Sequence, residues 1–116
     1  MNYVTRYIVS VTDGWREAVR ERSSAVFSNR YFVEVVAGIA DQAPTANDRL
    51  TVRMLAAHTG LTDSLVKLVV TRLINAELLL SQPPDRPRGP RYHLVQRAGG
   101  RWDALVDLCA RLTHET

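Results

Sequence analysis

The sequence predicts a mainly α fold: a winged helix-turn-helix with a two-stranded β-wing and flanking N- and C-terminal dimerisation helices. Three observations lead there. Residues 50–80, LTVRMLAAHTGLTDSLVKLVVTRLINAELLL, read as a short helix, a tight turn at Gly60, a longer helix and an apolar strand entry. Residues 82–94, QPPDRPRGPRYHL, follow as a Pro- and Arg-rich hairpin with a basic tip. Apolar helical patterns lie on both sides of this unit. With 116 residues, the chain suits one domain with a modest core. Its expected parts are an N-terminal arm and helix over 1–24, a winged-helix core over 25–97 and a C-terminal helix over 98–116.

Taking the elements in order, residues 3–11 are rich in β-branched and aromatic side chains and suit a short strand or an extended arm. Asp13 has the character of an N-cap for a first helix in which Trp15, Ala18 and Val19 share a face, while Arg16, Glu17, Arg20 and Glu21 face water. Phe27-Ser28-Asn29 offers a break. A second helix from about Arg30 to Asp41 is apolar around much of its circumference, which predicts burial on two sides. Pro44 ends it. Thr51 is then suited to cap a short helix whose Val52, Leu55 and Ala56 turn inward, and Gly60 supplies the positive φ of a tight turn. Thr62 caps a longer helix, with Val66, Val69, Val70 and Leu73 as its inward stripe and Asp63 complementing its dipole. Leu78-Leu79-Leu80 and Tyr92-His93-Leu94-Val95 are the wing strands, and five residues of the tip (Pro83, Pro84, Pro87, Gly89, Pro90) oppose regular structure. After Gly99-Gly100 a last amphipathic helix carries Trp102, Leu105, Val106, Cys109 and Leu112 on one side.

Composition narrows the functional classes. The chain is 46% hydrophobic, an ordinary value for a folded protein. It has no uncharged apolar run of membrane-spanning length, and its first residues lack the pattern of a secretory signal, so a cytoplasmic location is expected. Cys109, the single cysteine, sits in an apolar helical pattern and reads as a buried, inert thiol. His58, His93 and His114 are scattered rather than convergent, so no metal and no cofactor is expected. Nothing resembles a nucleophile–base set, paired carboxylates in a pocket or a Gly-rich phosphate loop, so an enzyme is not expected.

The distribution of charge says more than its total of +3. Residues 1–48 carry five Arg against six acids, and residues 98–116 two Arg against three acids. Residues 49–97 carry seven Arg and one Lys against Asp63, Glu77 and Asp85, a net of +5. The whole basic excess therefore lies on the helix-turn-helix and wing. Phosphate binding, driven by counterion release, predicts that localisation.

The residues also resemble a known group. VFSNRYFVEVVAGIADQ is similar to the first core helix of ArsR-type winged-helix regulators, and the segment 50–79 to their helix-turn-helix, with Ala56, Gly60, Leu61, Val66, Leu73 and Leu78 in matching places. RGPRYHLVQ resembles the wing return, and the Trp102 helix the dimerisation helix. The likeness spans about residues 25–112, and MarR- and PadR-like regulators share the same core. It implies a homodimeric transcriptional regulator that binds double-stranded DNA. Two departures stand out. The short helix VRMLAAH has no cysteine where metal-sensing members carry them, which disfavours metal sensing. Glu77 stands where such proteins commonly have Gly; a left-handed Glu costs on the order of 1 kcal/mol, which predicts a different helix end here.

On this reading the recognition helix, about 62–76, enters the major groove and the wing, 82–91, meets backbone or minor groove. Its exposed face carries Asp63, Ser64, Lys67, Leu68, Thr71 and Arg72, with Leu65 at the edge and Thr62 at the cap. Lys67 suits guanine O6 or N7 or a phosphate, Ser64 and Thr71 can reach either, and Leu65 and Leu68 suit thymine methyls. Arg72 suits backbone phosphate, as does the start of the short helix, where Arg49 and Arg53 flank Thr51. Arg86, Arg88 and Arg91 suit the minor groove or its flanking phosphates. Trp15, Val19, Trp102, Leu105, Leu108 and Leu112 are expected at a two-fold interface. The competing reading is a winged-helix protein–protein interaction module without DNA binding, favoured by the aliphatic character of the longer helix.

Overall fold

A computed structural model describes residues 9–114, with side chains described from Gly14 onward. The elements are α1 (Val9–Phe27), α2 (Phe32–Gln42), α3 (Val52–Thr59), α4 (Asp63–Asn75), β1 (Leu79–Ser81), β2 (His93–Val95), a 3-10 turn (Ala98–Gly100) and α5 (Arg101–Thr113). The architecture is mainly helical with a two-stranded antiparallel wing, as the periodicity predicts. One expectation at the start fails. Asp13 lies inside α1 rather than at its cap, and residues 9–11 are helical rather than strand or arm. The helical run simply extends one turn further back than the cap signal suggests, because a cap residue is only a local preference that helix propagation overrides. The rest of the proposed strand or arm, residues 3–8, lies outside the described residues.

Burial of α2 organises the helices. Val33, Val35, Val36 and Ile39 are inaccessible to solvent, and Phe32 and Gly38 are buried beside them. Helices α1, α3, α4 and α5 all pack on this one helix. The joint between α1 and α2 is polar but satisfied: the buried Ser23 hydroxyl donates to the Asn29 carbonyl at 2.6 Å and accepts from the Val33 N–H at 3.1 Å. Above it, Arg20 pairs with Glu34 at 2.6 Å instead of facing water. A Cβ at Gly38 would lie 3.0 Å from the Thr59 methyl, so this position sets how closely α3 approaches α2.

Both flanking helices also close this core. Val19 of α1 is 1% exposed and Trp102 of α5 is 2% exposed within the single chain. That corrects their expected place at a two-fold interface, since neither has surface left for a second copy. Trp15 is half-buried and its indole N–H donates to the Thr113 carbonyl at 2.7 Å, tying α1 to the end of α5. Arg22 adds to that tie through the Leu112 and His114 carbonyls, both at 2.9 Å. Cys109 is buried, and burial pushes its thiol up to about 12, so it stays protonated at neutral pH.

The helix-turn-helix follows its local signals. The Thr51 hydroxyl accepts from the Met54 N–H at 3.0 Å and the Thr62 hydroxyl from the Leu65 N–H at 3.3 Å, capping α3 and α4. Gly60 takes the left-handed conformation between them, with φ 79°. The end of α4 corrects a second expectation. Glu77 itself adopts φ 62°, its N–H bonding the Ile74 carbonyl at 2.9 Å while the Leu78 N–H reaches the Leu73 carbonyl at 2.8 Å. That is the Schellman closure a glycine would make. The two backbone bonds and the strand beyond them hold Glu where Gly is favoured. Replacing Glu77 by Gly relieves the left-handed cost, and we expect Glu77→Gly to raise unfolding free energy by about 1 kcal/mol. Urea titration checks this; a lower midpoint in the variant refutes it.

Candidate nucleic-acid interface

The wing is pinned to the helix-turn-helix by backbone pairing. Leu79 faces Val95, Leu80 faces Leu94 and Ser81 faces His93 in the antiparallel register. On the other edge of β2, Leu50 forms a bridge to His93, with N–H to carbonyl distances of 2.9 and 2.8 Å. Leu50 is thus a one-residue third strand directly ahead of α3. It was invisible in the helical pattern of its segment, because a single bridge leaves no periodic trace. Through it the start of α3 is hydrogen-bonded to the return strand of the wing.

Helix α4 presents a ridge between two grooves. One groove, about 1040 Å³, lies among α3, α4 and the wing; Arg53, Ser64, Lys67, Thr71 and Arg91 line it, with Thr51 at its edge. The other, about 590 Å³, lies between α4 and the α1–α2 turn, and is lined by Ser28, Asn29, Leu68 and Arg72 along with Ser64, Lys67 and Thr71. Ser64, Lys67 and Thr71 border both, so they stand on the crest. Leu68 is 59% exposed beside them, whereas Leu65 is half-buried and borders neither groove. The inward stripe of Val66, Val69, Val70 and Leu73 is buried as expected.

The cations divide into two groups. Arg72 donates to the Phe27 carbonyl at 2.6 Å and lies 5.4 Å from the Phe32 ring centroid. It caps the carbonyl end of α1 through one nitrogen, while the residue itself stays exposed at the rim of the second groove. Arg97 is likewise structural, donating to the Ala43 and Thr45 carbonyls at 2.6 and 3.1 Å. Arg49 stacks 3.9 Å from the Tyr92 ring centroid and lies 3.5 Å from the Asp85 carboxylate, clasping the base of the wing. Arg53 is 3.7 Å from Asp63 with both side chains exposed, a weak pairing in water. Among the described residues no ion pair engages Lys67, Arg86, Arg88 or Arg91, and Arg91 makes only long contacts of 3.4 Å to Ser81 and the Gln82 carbonyl.

Arg86 and Arg88 stand at the wing tip and border neither groove. The tip is a turn closed by the Gly89 N–H on the Arg86 carbonyl at 2.9 Å. Pro87 occupies its second corner and Arg88, with φ 64°, its third. That third corner favours glycine. Sequence reading missed Tyr92 and Asp85 as partners of Arg49; the clasp is tertiary, and only the aromatic next to the return strand hints at it.

Comparison with solved structures bears on this geometry. The chain is similar to the oxidized form of MarR from E. coli, with a TM-score of 0.60 and 16% identity over 97% of this chain and 75% of that one. The fold is a winged helix-turn-helix. At this identity the likeness supports the winged-helix architecture broadly and does not single out the ArsR type. No protein-family model matches the chain, and no curated protein matches it. Among the described residues, no helix is long and apolar enough to cross a membrane.

His93 lies at the junction of the winged helix. Its side chain is buried with Nδ1 unpartnered among the described residues, and burial together with nearby Arg91 pushes its pKa below the ordinary imidazole value. The folded state therefore favours neutral His93 while the unfolded chain protonates near pH 6.5. Stability is complete above about pH 6.5 and falls as pH drops below it, because the unfolded state then binds the extra proton. We expect His93→Gln to flatten that loss. Thermal melts across pH 5–8 check it, and an identical pH profile in variant and parent contradicts the assignment.

Proposed function

We propose that this chain is a sequence-specific DNA-binding transcriptional regulator that acts as a homodimer. The observation that carries the proposal is the joint placement of the basic excess: Arg53, Lys67 and Arg91 line one groove beside the exposed crest of α4, with Arg86 and Arg88 extending it along the wing. A surface built to neutralise phosphates needs cations in this arrangement. In this reading α4 lies in the major groove, and Ser64, Lys67 and Thr71 reach base edges. Arg49, Arg53 and the first N–H groups of α3 hold backbone, with Thr51 and Thr62 serving as caps that aim the two helices. Arg86, Arg88 and Arg91 sit on the minor groove or its flanking phosphates. The strain accepted at Arg88 keeps a cation at the tip where glycine would be easier, which agrees with that role.

Selection of bound sequences from random duplex DNA tests the function. Enrichment of an inverted repeat is expected; no duplex retained at low salt rejects DNA binding in favour of a protein-interaction module. Replacing Arg86, Arg88 and Arg91 together by Ala should weaken binding and reduce the slope of log affinity against log salt by up to about three. An unchanged slope rejects the wing contact.

The dimer contact proposed is the outer face of α5, where Leu108 is 41% exposed between half-buried Leu105 and Leu112. Such a surface, paired about a two-fold axis, sets two copies of α4 on successive half-sites. Sedimentation equilibrium at micromolar concentration should give a dimer that Leu108→Asp converts to monomer. A monomeric parent protein rejects the pairing.

A further inference from the structure

We infer that Leu68 selects for thymine at one position of each half-site, by packing on the C5-methyl group of that base. This rests on the DNA-binding reading above. The exposed face of α4 offers few groups that can discriminate between bases: Lys67 is the one cation bordering both grooves, Arg72 lies farther along beside the end of α1, and Ser64 and Thr71 carry hydroxyls that donate and accept and so accept either partner. Leu68 differs. It is a large aliphatic side chain, 59% exposed, on the same crest, while every other aliphatic side chain of the helix is buried or half-buried. In the major groove only thymine presents an apolar group, so an exposed leucine among donors distinguishes thymine from the other three bases.

The surroundings favour a nucleic-acid occupant over an apolar partner. Lys67 borders the same groove as Leu68, and Arg53 and Arg91 lie across the crest from it, so an apolar partner docking here would have to desolvate cations without matching charge. A duplex brings phosphates to the cations and a methyl to the leucine at once. Leu65, three positions back, cannot share the task because it is half-buried and borders neither groove. RNA is disfavoured by the same feature, since uracil lacks the methyl and the major groove of an A-form helix is closed to side chains.

The experiment uses the full chain and its selected duplex, with each thymine replaced in turn by uracil, which removes the methyl and leaves base pairing intact. One position per half-site is expected to lose affinity about fourfold, the worth of one buried methyl group. In Leu68→Ala that penalty disappears while the duplex is still bound, and Lys67→Ala leaves the penalty in place. Leu68 is exposed, so the variant keeps its fold, which a thermal melt verifies. Uracil tolerated at every position, or a penalty that survives in Leu68→Ala, overturns the inference while leaving DNA binding intact. Failure of the parent protein to retain any duplex overturns both.

Discussion

The burial of α2 is the constraint on which the rest of the structure depends. Val33, Val35, Val36 and Ile39 lie on successive faces of an eleven-residue helix, and all are shut off from water. Only helices on several sides can achieve that, which is why α1, α3, α4 and α5 all meet it. The arrangement has a cost in adaptability. A helix held against four others cannot shift along one without disturbing the rest, so the orientation of α4 relative to α5 is set through one shared intermediary. The close approach at Gly38 fixes α3 on the same frame. Whatever α4 meets outside, its crest is held by the core beneath it.

A second consequence concerns charge. Counted along the chain, the basic excess looks like a single surface property. In space it separates. Arg72 and Arg97 each direct one nitrogen to backbone carbonyls, at the end of α1 and after α2, satisfying acceptors that helices and loops leave open. Arg49 fastens the wing through Tyr92 and Asp85 while its side chain stays partly exposed and can still donate outward. The cations left on the surface are fewer, but they are grouped around α4 and the wing tip. Arginine suits both duties because its planar fork can serve several acceptors while part of it remains solvated.

Among the described residues, three non-glycine residues adopt left-handed backbone: Ser28 after α1, Glu77 after α4 and Arg88 at the wing tip. Each costs on the order of 1–2 kcal/mol against the right-handed alternative. Each is also fastened by a backbone bond, from the Ser28 N–H to Ser24, from Leu78 to Leu73, and from Gly89 to Arg86. The first two are helix ends dictated by where the following element must go. The third has no helix to terminate, and the side chain it displays is a cation.

The sequence by itself determined the order and kind of the elements, because helical periodicity, the Thr51 and Thr62 caps and the Gly60 turn are local signals that act within a few residues. It also located the inward stripe of α4 and the exposed crest opposite it. The start of α1 was not legible in it, since Asp13 has the chemistry of a cap but lies within a helix that begins at Val9. Nor was the fate of Val19 and Trp102, whose apolar character is the same whether it meets the chain's own α2 or a second copy. Only the tertiary structure decided those, along with the bridge from Leu50 to His93 and the division of the arginines between core and surface. Each of these depends on which distant segment lies opposite. Residue type and spacing carry what a residue can do; packing chooses the partner with which it does it.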